Sequence, residues 1–265
     1  MKTSRFTEKE HRMKYFNPLW IAISTYSILP APSVEWRREH MGAAICFLPV
    51  VGIFIGLALL LWQWLCLKLR VEPALFAAVA AVLPLLLTGG IHMDGFMDTM
   101  DALGSHQPRE RKLEIMKDPN VGAFAVMGCG AYLLLSFGLY WGLYQGGLLK
   151  VAAVGFVLSR ALGALGALTL PGAGNGGMLT AFTAYARNPG AVAAMVLVSC
   201  LWGGTMVLLD LEPGLGGVAF GILAFWGYGA MAKREFGGAT GDTTGFFIQV
   251  CELFILFGVV TGGLL

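Results

Sequence analysis

An all-α, polytopic membrane bundle of about seven helices is the fold class this sequence predicts, and three observations predict it. Of 265 residues, 57% are hydrophobic and only 13% are charged, where soluble domains run at roughly 45–50% and 25%. Mean hydropathy is +0.71. Apolar runs of about 20 residues, the length that crosses a hydrocarbon core, recur from residue 42 to the C-terminus.

Taken in order, MKTSRFTEKEHRMKYFNPLW is polar for too long to be a signal peptide. Residues 1–40 therefore read as a cytoplasmic and interfacial segment. Within it, LWIAISTYSILPAP (19–32) is apolar but short and closed by Pro30 and Pro32, which predicts an interfacial or re-entrant helix. Spans follow at 42–66, 73–91, 121–145, 148–170, 190–209, 214–232 and 243–265, with Pro49 and Pro84 expected to kink the first two. No repeat or low-complexity tail divides the chain, so 1–265 reads as one membrane-embedded domain. The five cysteines form no CxxC pair and fall mostly in apolar runs, as small core residues do. A net charge of +2 gives no sign of a nucleic-acid partner; the bilayer is the evident one, and self-association is left open.

Lysine and arginine set the orientation. With the N-terminus inside, fourteen basic residues fall inside (Lys2 to Arg38, Arg109 to Lys117, Arg187, Lys233 and Arg234). Three fall outside (Lys68, Arg70, Lys150), and Arg160 lies within a span. The chain is thus expected to run from a cytoplasmic N-terminus to an outer C-terminus, with its polar chemistry on the cytoplasmic face.

That chemistry centres on GGIHMDGFMDTMDALG (89–104), which holds half of the chain's six aspartates. Asp94, Asp98 and Asp101 are spaced i, i+4, i+7 and share one face of a helix. Stacked like charges repel, and a divalent cation relieves the repulsion. An all-oxygen carboxylate set suits Mg²⁺ or Mn²⁺ with positions left for substrate phosphates. The competing reading is of caps and solvated loop residues, which explains one aspartate better than three in register. His92 is a ligand or proton carrier, or a hydrogen-bonded structural residue.

Downstream, Arg109, Arg111, Lys112 and Lys117 can meet phosphate oxygens, or simply anchor the inner face; Asp118 is a further carboxylate. A second polar island, GGATGDTTGFFIQVCELF (237–254), places Thr240 and Asp242 at the start of the last helix. Asp242 is either the cap of that helix or a metal or phosphate ligand. Glu252 stands inside an apolar run, where an acid faces the protein interior and carries function by default. Arg160 is its candidate partner, or a partner for a phosphate.

HMDGFMDTMDALG, ERKLEIMKDPNVGAFAVMG, SRALGAL and GGATGDTTG…CELFILFG, in that order after ILPAP and FLPVVGIFIG, resemble the adenosylcobinamide-GDP ribazoletransferase (cobalamin synthase) family over nearly the whole chain. The resemblance implies a multi-pass enzyme of the bacterial inner membrane. It would transfer the adenosylcobinamide-phosphate moiety of adenosylcobinamide-GDP to α-ribazole or its 5′-phosphate, with Mg²⁺, releasing GMP. It carries metal-holding roles to Asp94, Asp98, Asp101 and Asp242. The expected step is attack by the riboside 5′-hydroxyl on the cobinamide-linked phosphorus, with Asp98, Asp101 or His92 as base. Arg109, Arg111, Lys117 or Arg160 would offset phosphate charge. Two departures stand out: Ala102 where the family often has glycine, and the loop PGAGNGGMLTAFTAY (171–185). The alternatives are a CDP-alcohol-type phosphotransferase, whose glycine after DxxD and later aspartates are not seen here, and an ion-coupled transporter using Arg160 and Glu252. A non-catalytic assembly subunit would not need the stacked aspartates.

Overall fold

The computed structural model describes residues 16–173, 178–183 and 186–265. Among these residues the structure is helical, and its one β pairing is a parallel bridge between Gly172 and Ala239. Of the N-terminal segment, residues 1–15 lie outside the described residues. A helix (α1) runs through 16–26, within the stretch expected to be interfacial.

After α2 (Arg38–Ala44) and a short tight turn comes α3 (Leu48–Leu69). Pro49 lies in the first turn of α3, where a missing N–H leaves no bond unmade. It starts this helix and does not kink it. Next is α4 (Pro73–Thr88), with Pro84 inside. The break comes after the proline, at Gly89 and Gly90, whose φ values of 62° and 79° suit glycine. There the chain turns 97° into α5 (Ile91–Gly104). The second span therefore ends at Thr88, short of residue 91. At 16 residues α4 is about 24 Å long, and we read it as a short span. Helix α5, turned away from it, crosses the end of the bundle.

The remaining helices are α6 (Arg109–Ile115), α7 (Ala123–Gly146), α8 (Leu149–Thr169), α9 (Met178–Thr183), α10 (Pro189–Leu209), α11 (Leu211–Met231) and α12 (Gly241–Gly262). Helices α3, α7, α8, α10, α11 and α12 are each long and apolar enough to cross a membrane. These are six; counting α4 as a short seventh agrees with the count of about seven that the hydropathy pattern predicts. Helix α8 is the axis: 89% of its most apolar stretch is buried, against 17% for α10. Leu57 and Leu61 of α3, Leu134 of α7, Leu197 and Leu208 of α10 and Trp226 of α11 are exposed on the outer surface, as lipid-facing residues should be.

Between apolar helices in a lipid environment, close packing replaces the hydrophobic drive, and small residues let backbones meet. Gly216 of α11 faces Gly258 of α12, where a Cβ on Gly258 would lie 2.3 Å from the Gly216 oxygen. Gly258→Ala is expected to lower stability by about 1–3 kcal/mol through overpacking. Gly138→Ala, which meets nothing within 4 Å on α7, serves as the control and should be neutral or slightly stabilising in the same thermal unfolding series in detergent.

The polar segments gather at one end of this bundle. Lys112 of α6 forms an ion pair with Glu235, in the widened turn Ala232–Phe236 that ends α11. Ala173 donates to the Ala239 carbonyl at 2.9 Å, and Ala239 donates to that of Pro171 at 2.7 Å. These bonds tie the described part of the 171–185 loop to the turn before α12.

Candidate active site

Helix α5 is two-sided. His92, Met93, Phe96 and Thr99 are buried, while Asp94 is exposed and Asp98 and Asp101 are half-buried on the other side. The buried side packs on α12 and α7: Phe96 stacks on Phe246 with ring centroids 5.4 Å apart and leans on Tyr132. Gly95 makes the closest approach. A Cβ there would lie 2.8 Å from both Cα and the carbonyl oxygen of Asp242, so α5 meets the first turn of α12 backbone to backbone. That contact brings Asp242 beside the α5 carboxylates.

The electrostatics follow from this crowding. Burial first, then the charges of Asp94, Asp242 and Asp101, push the Asp98 carboxyl up to about 6. The α12 start is capped by Thr240, whose hydroxyl accepts from Thr243 N at 3.0 Å while Thr240 N donates to the Thr243 hydroxyl at 2.8 Å. Asp242 is thus not the cap. It occupies the second helical position, where the helix dipole favours a carboxylate.

Asp101 is engaged differently from its two neighbours. Its carboxylate accepts from Gly122 N at 2.6 Å and Ala125 N at 2.8 Å, which caps α7 from across the loop. No side chain of α7's own N-cap residue does so. Asp101→Ala is expected to cost about 1–2 kcal/mol, and to cost it equally in EDTA and in Mg²⁺. A loss seen only with Mg²⁺ would mark a metal ligand instead.

The other residues singled out in the sequence separate by location. His92 is buried, stacked on Tyr26 at 5.9 Å, and its Nε2 has no partner among the described residues. Burial, then the Arg160 charge, pushes its imidazole down to about 3, a poor match for a base working near neutral pH. The Arg109 guanidinium lies against Gly237 and reaches the Lys233 carbonyl at 3.5 Å. Arg111 pairs with Glu114 at the exposed surface, and Lys117 is exposed. Asp118 accepts from both the backbone and the side chain of Asn120, which hold its carboxyl below the usual range. Arg160 and Glu252 are fully buried and paired with each other at 2.6 Å, away from any open surface.

The structure therefore brings Asp94, Asp98 and Asp242 together, with Asp101 adjoining, and leaves Arg111 on the outer surface of α6 and Lys117 and Asp118 in the loop after it. Three participants carry weaker sequence signals. Gly95 was legible as a glycine inside the acidic motif. Glu235 was hidden by the basic residues before it, and Tyr26 has no signal at all.

Among the described residues no three His, Cys, Asp or Glu side chains form a ready-made metal cage. Mg²⁺ seldom uses one; it is held by one or two carboxylates with waters and substrate phosphates. The hard-oxygen set of Asp94, Asp98 and Asp242 fits that mode. An open hollow beside Asp94, walled by Leu85, Met93 and Met97, adjoins it. A second lies between Leu103, His106, Lys112, Met231, Arg234 and Glu235.

A helical bundle of apolar, membrane-length helices with crowded carboxylates at one end, where two helices touch, defines a multi-pass membrane protein. Residues 18–260 match the sequence pattern described as cobalamin-5-phosphate synthase, and the chain belongs to that family. It is 39% identical over 248 residues to the adenosylcobinamide-GDP ribazoletransferase of Lachnoclostridium phytofermentans, covering 94% of this chain and 95% of the relative. It is 37% identical to the same-named protein of Pseudomonas entomophila, covering 91% and 98%, and 35% identical to that of Desulfitobacterium hafniense, covering 93% and 97%. No solved structure matches it. The chain is a transferase of cobalamin nucleotide-loop assembly.

Proposed function

We propose that the protein transfers the adenosylcobinamide-phosphate moiety of adenosylcobinamide-GDP to α-ribazole or α-ribazole 5′-phosphate. The products are adenosylcobalamin or its 5′-phosphate and GMP. The observation that carries this reading is the meeting of α5 and α12 at Gly95, which sets Asp242 beside Asp94 and Asp98. By the distribution of basic residues, this end of the bundle faces the cytoplasm of an inner membrane.

One expectation changes on chemical grounds. If the 5′-phosphate of the acceptor passes unaltered into the product, the 5′-oxygen is not the nucleophile. Another ribose hydroxyl attacks the cobinamide-linked phosphorus, the bond to the GMP oxygen breaks, and the hydroxyl proton goes to a base. Asp98 suits that role, because its carboxyl, pushed up to about 6, is a stronger base than an ordinary carboxylate. Asp94 and Asp242 would hold Mg²⁺ or Mn²⁺ together with the pyrophosphate, and the metal supplies neutralisation of phosphate charge. Arg109 stands at the same end to do the same for a remote phosphate. Positioning and charge neutralisation provide most of the acceleration in such a transfer.

The test uses purified protein in detergent or proteoliposomes with Mg²⁺, adenosylcobinamide-GDP and α-ribazole. GMP and adenosylcobalamin should appear one for one, and CDP-alcohol substrates should give nothing. Failure to release GMP with either Mg²⁺ or Mn²⁺ rejects the reading.

A further inference from the structure

Deep in the bundle, Arg160 of α8 and Glu252 of α12 are 0% and 2% exposed and joined at 2.6 Å. Nη1 of Arg160 also donates to the Phe156 carbonyl at 3.0 Å and the Ser159 hydroxyl at 3.2 Å, and the guanidinium lies over the Phe156 ring. Tyr132 of α7 donates to the other Glu252 oxygen at 3.4 Å. Three helices therefore converge on one carboxylate. The arrangement is incompletely satisfied, since among the described residues Nε and Nη2 of Arg160 have no partner, nor does Oε1 of Gln249 one turn before Glu252.

A buried ion pair with unmet donors is poor evidence of a gain in stability, because apolar residues of similar volume often serve as well or better. Its best-attested use is to specify register. That use fits here, because helices in an apolar surrounding have no hydrophobic drive to choose which faces meet, and polar contacts can supply the choice. Glu252 lies ten residues beyond Asp242 on the same helix, about 15 Å along it. It is too far to touch the carboxylate site, but rigidly connected to it.

We propose that the Arg160–Glu252 pair is a positioning device that locks the rotation and depth of α12 against α8 and α7. It thereby holds Asp242 against α5 at Gly95. The turnover arm of the test rests on the transfer reaction proposed above; the cross-linking arm does not.

The test compares the native chain with the double variant Arg160→Leu/Glu252→Leu. The double variant is expected to unfold at a temperature no lower than the native protein. Its kcat for GMP release should nevertheless fall about 100-fold, the scale of a misplaced catalytic group, with KM little changed. In parallel, Phe96→Cys and Phe246→Cys are introduced into both backgrounds. With Cys129, which packs in the same cluster, changed to serine in both, their joining by a short bifunctional thiol reagent, quantified by mass spectrometry, should be efficient in the native background and drop in the leucine-pair background. Unchanged turnover or an unchanged cross-link in a folded double variant overturns the proposal. Should the leucine pair not fold, Arg160→Met/Glu252→Gln takes its place under the same criteria; unfolding of both also overturns it, since the pair is then needed for stability. If the native protein itself releases no GMP, the functional reading fails and the cross-link alone decides on positioning.

Discussion

Asp98→Asn is expected to lower GMP release by about 100-fold to 10,000-fold, the usual loss when a positioned base is removed, while leaving the protein folded. The substitution is nearly isosteric, and it removes a charge on which burial, Asp94, Asp242 and Asp101 all act unfavourably. In metal-free buffer the variant should therefore be at least as stable as the native chain. The pH dependence follows with a definite sign. Because the folded-state carboxyl titrates near 6, above its ordinary value of 3.8, the folded state binds the proton more tightly than the unfolded chain. Asp98 then lowers stability as pH rises from about 4 through 6, and its full cost is present above 6. Asp98→Asn should flatten that segment of the stability profile. The carboxyl is partly open to solvent, so screening keeps the effect small. Asp94→Asn should also abolish turnover, by removing a metal-holding group. Near-normal turnover in both variants would leave the carboxylate cluster without a catalytic role.

Removing one member of the buried pair should have the largest effect on stability. Arg160→Leu or Glu252→Leu alone strands a charge that is otherwise matched at 2.6 Å in a fully buried setting, which typically costs about 3–5 kcal/mol. The double substitution removes both charges and is expected to recover most or all of that loss. Equilibrium unfolding of the two single variants and the double variant in one detergent gives the coupling directly. Additive single losses, with no recovery in the double variant, would mean that the two side chains act independently. The steep single losses, set against a stable but misaligned double variant, separate what the pair does for folding from what it does for the site.

The sequence by itself determined the class of fold and the helix on which the carboxylates cluster. Apolar runs of membrane-spanning length depend on composition alone, because the bilayer forces each such run to satisfy its own backbone as a helix. The spacing of Asp94, Asp98 and Asp101 likewise depends only on the pitch of one helix, so their shared face was legible. What those carboxylates meet depended on neighbours distant in sequence, and only the tertiary structure decided it. Asp101 turned to the bare N–H groups of α7. Thr240 took the cap, leaving Asp242 to face α5. Two glycines, and not Pro84, set the break that lays α5 across the bundle. The sequence offered Arg160 either Glu252 or a phosphate as its partner, and the packing of α8 against α12 gave it Glu252. Periodicity records how each helix is built. Which charge ends up opposite which is set by how closely the helices pack, and that closeness is determined by contacts between residues such as Gly95 and Asp242, 147 positions apart.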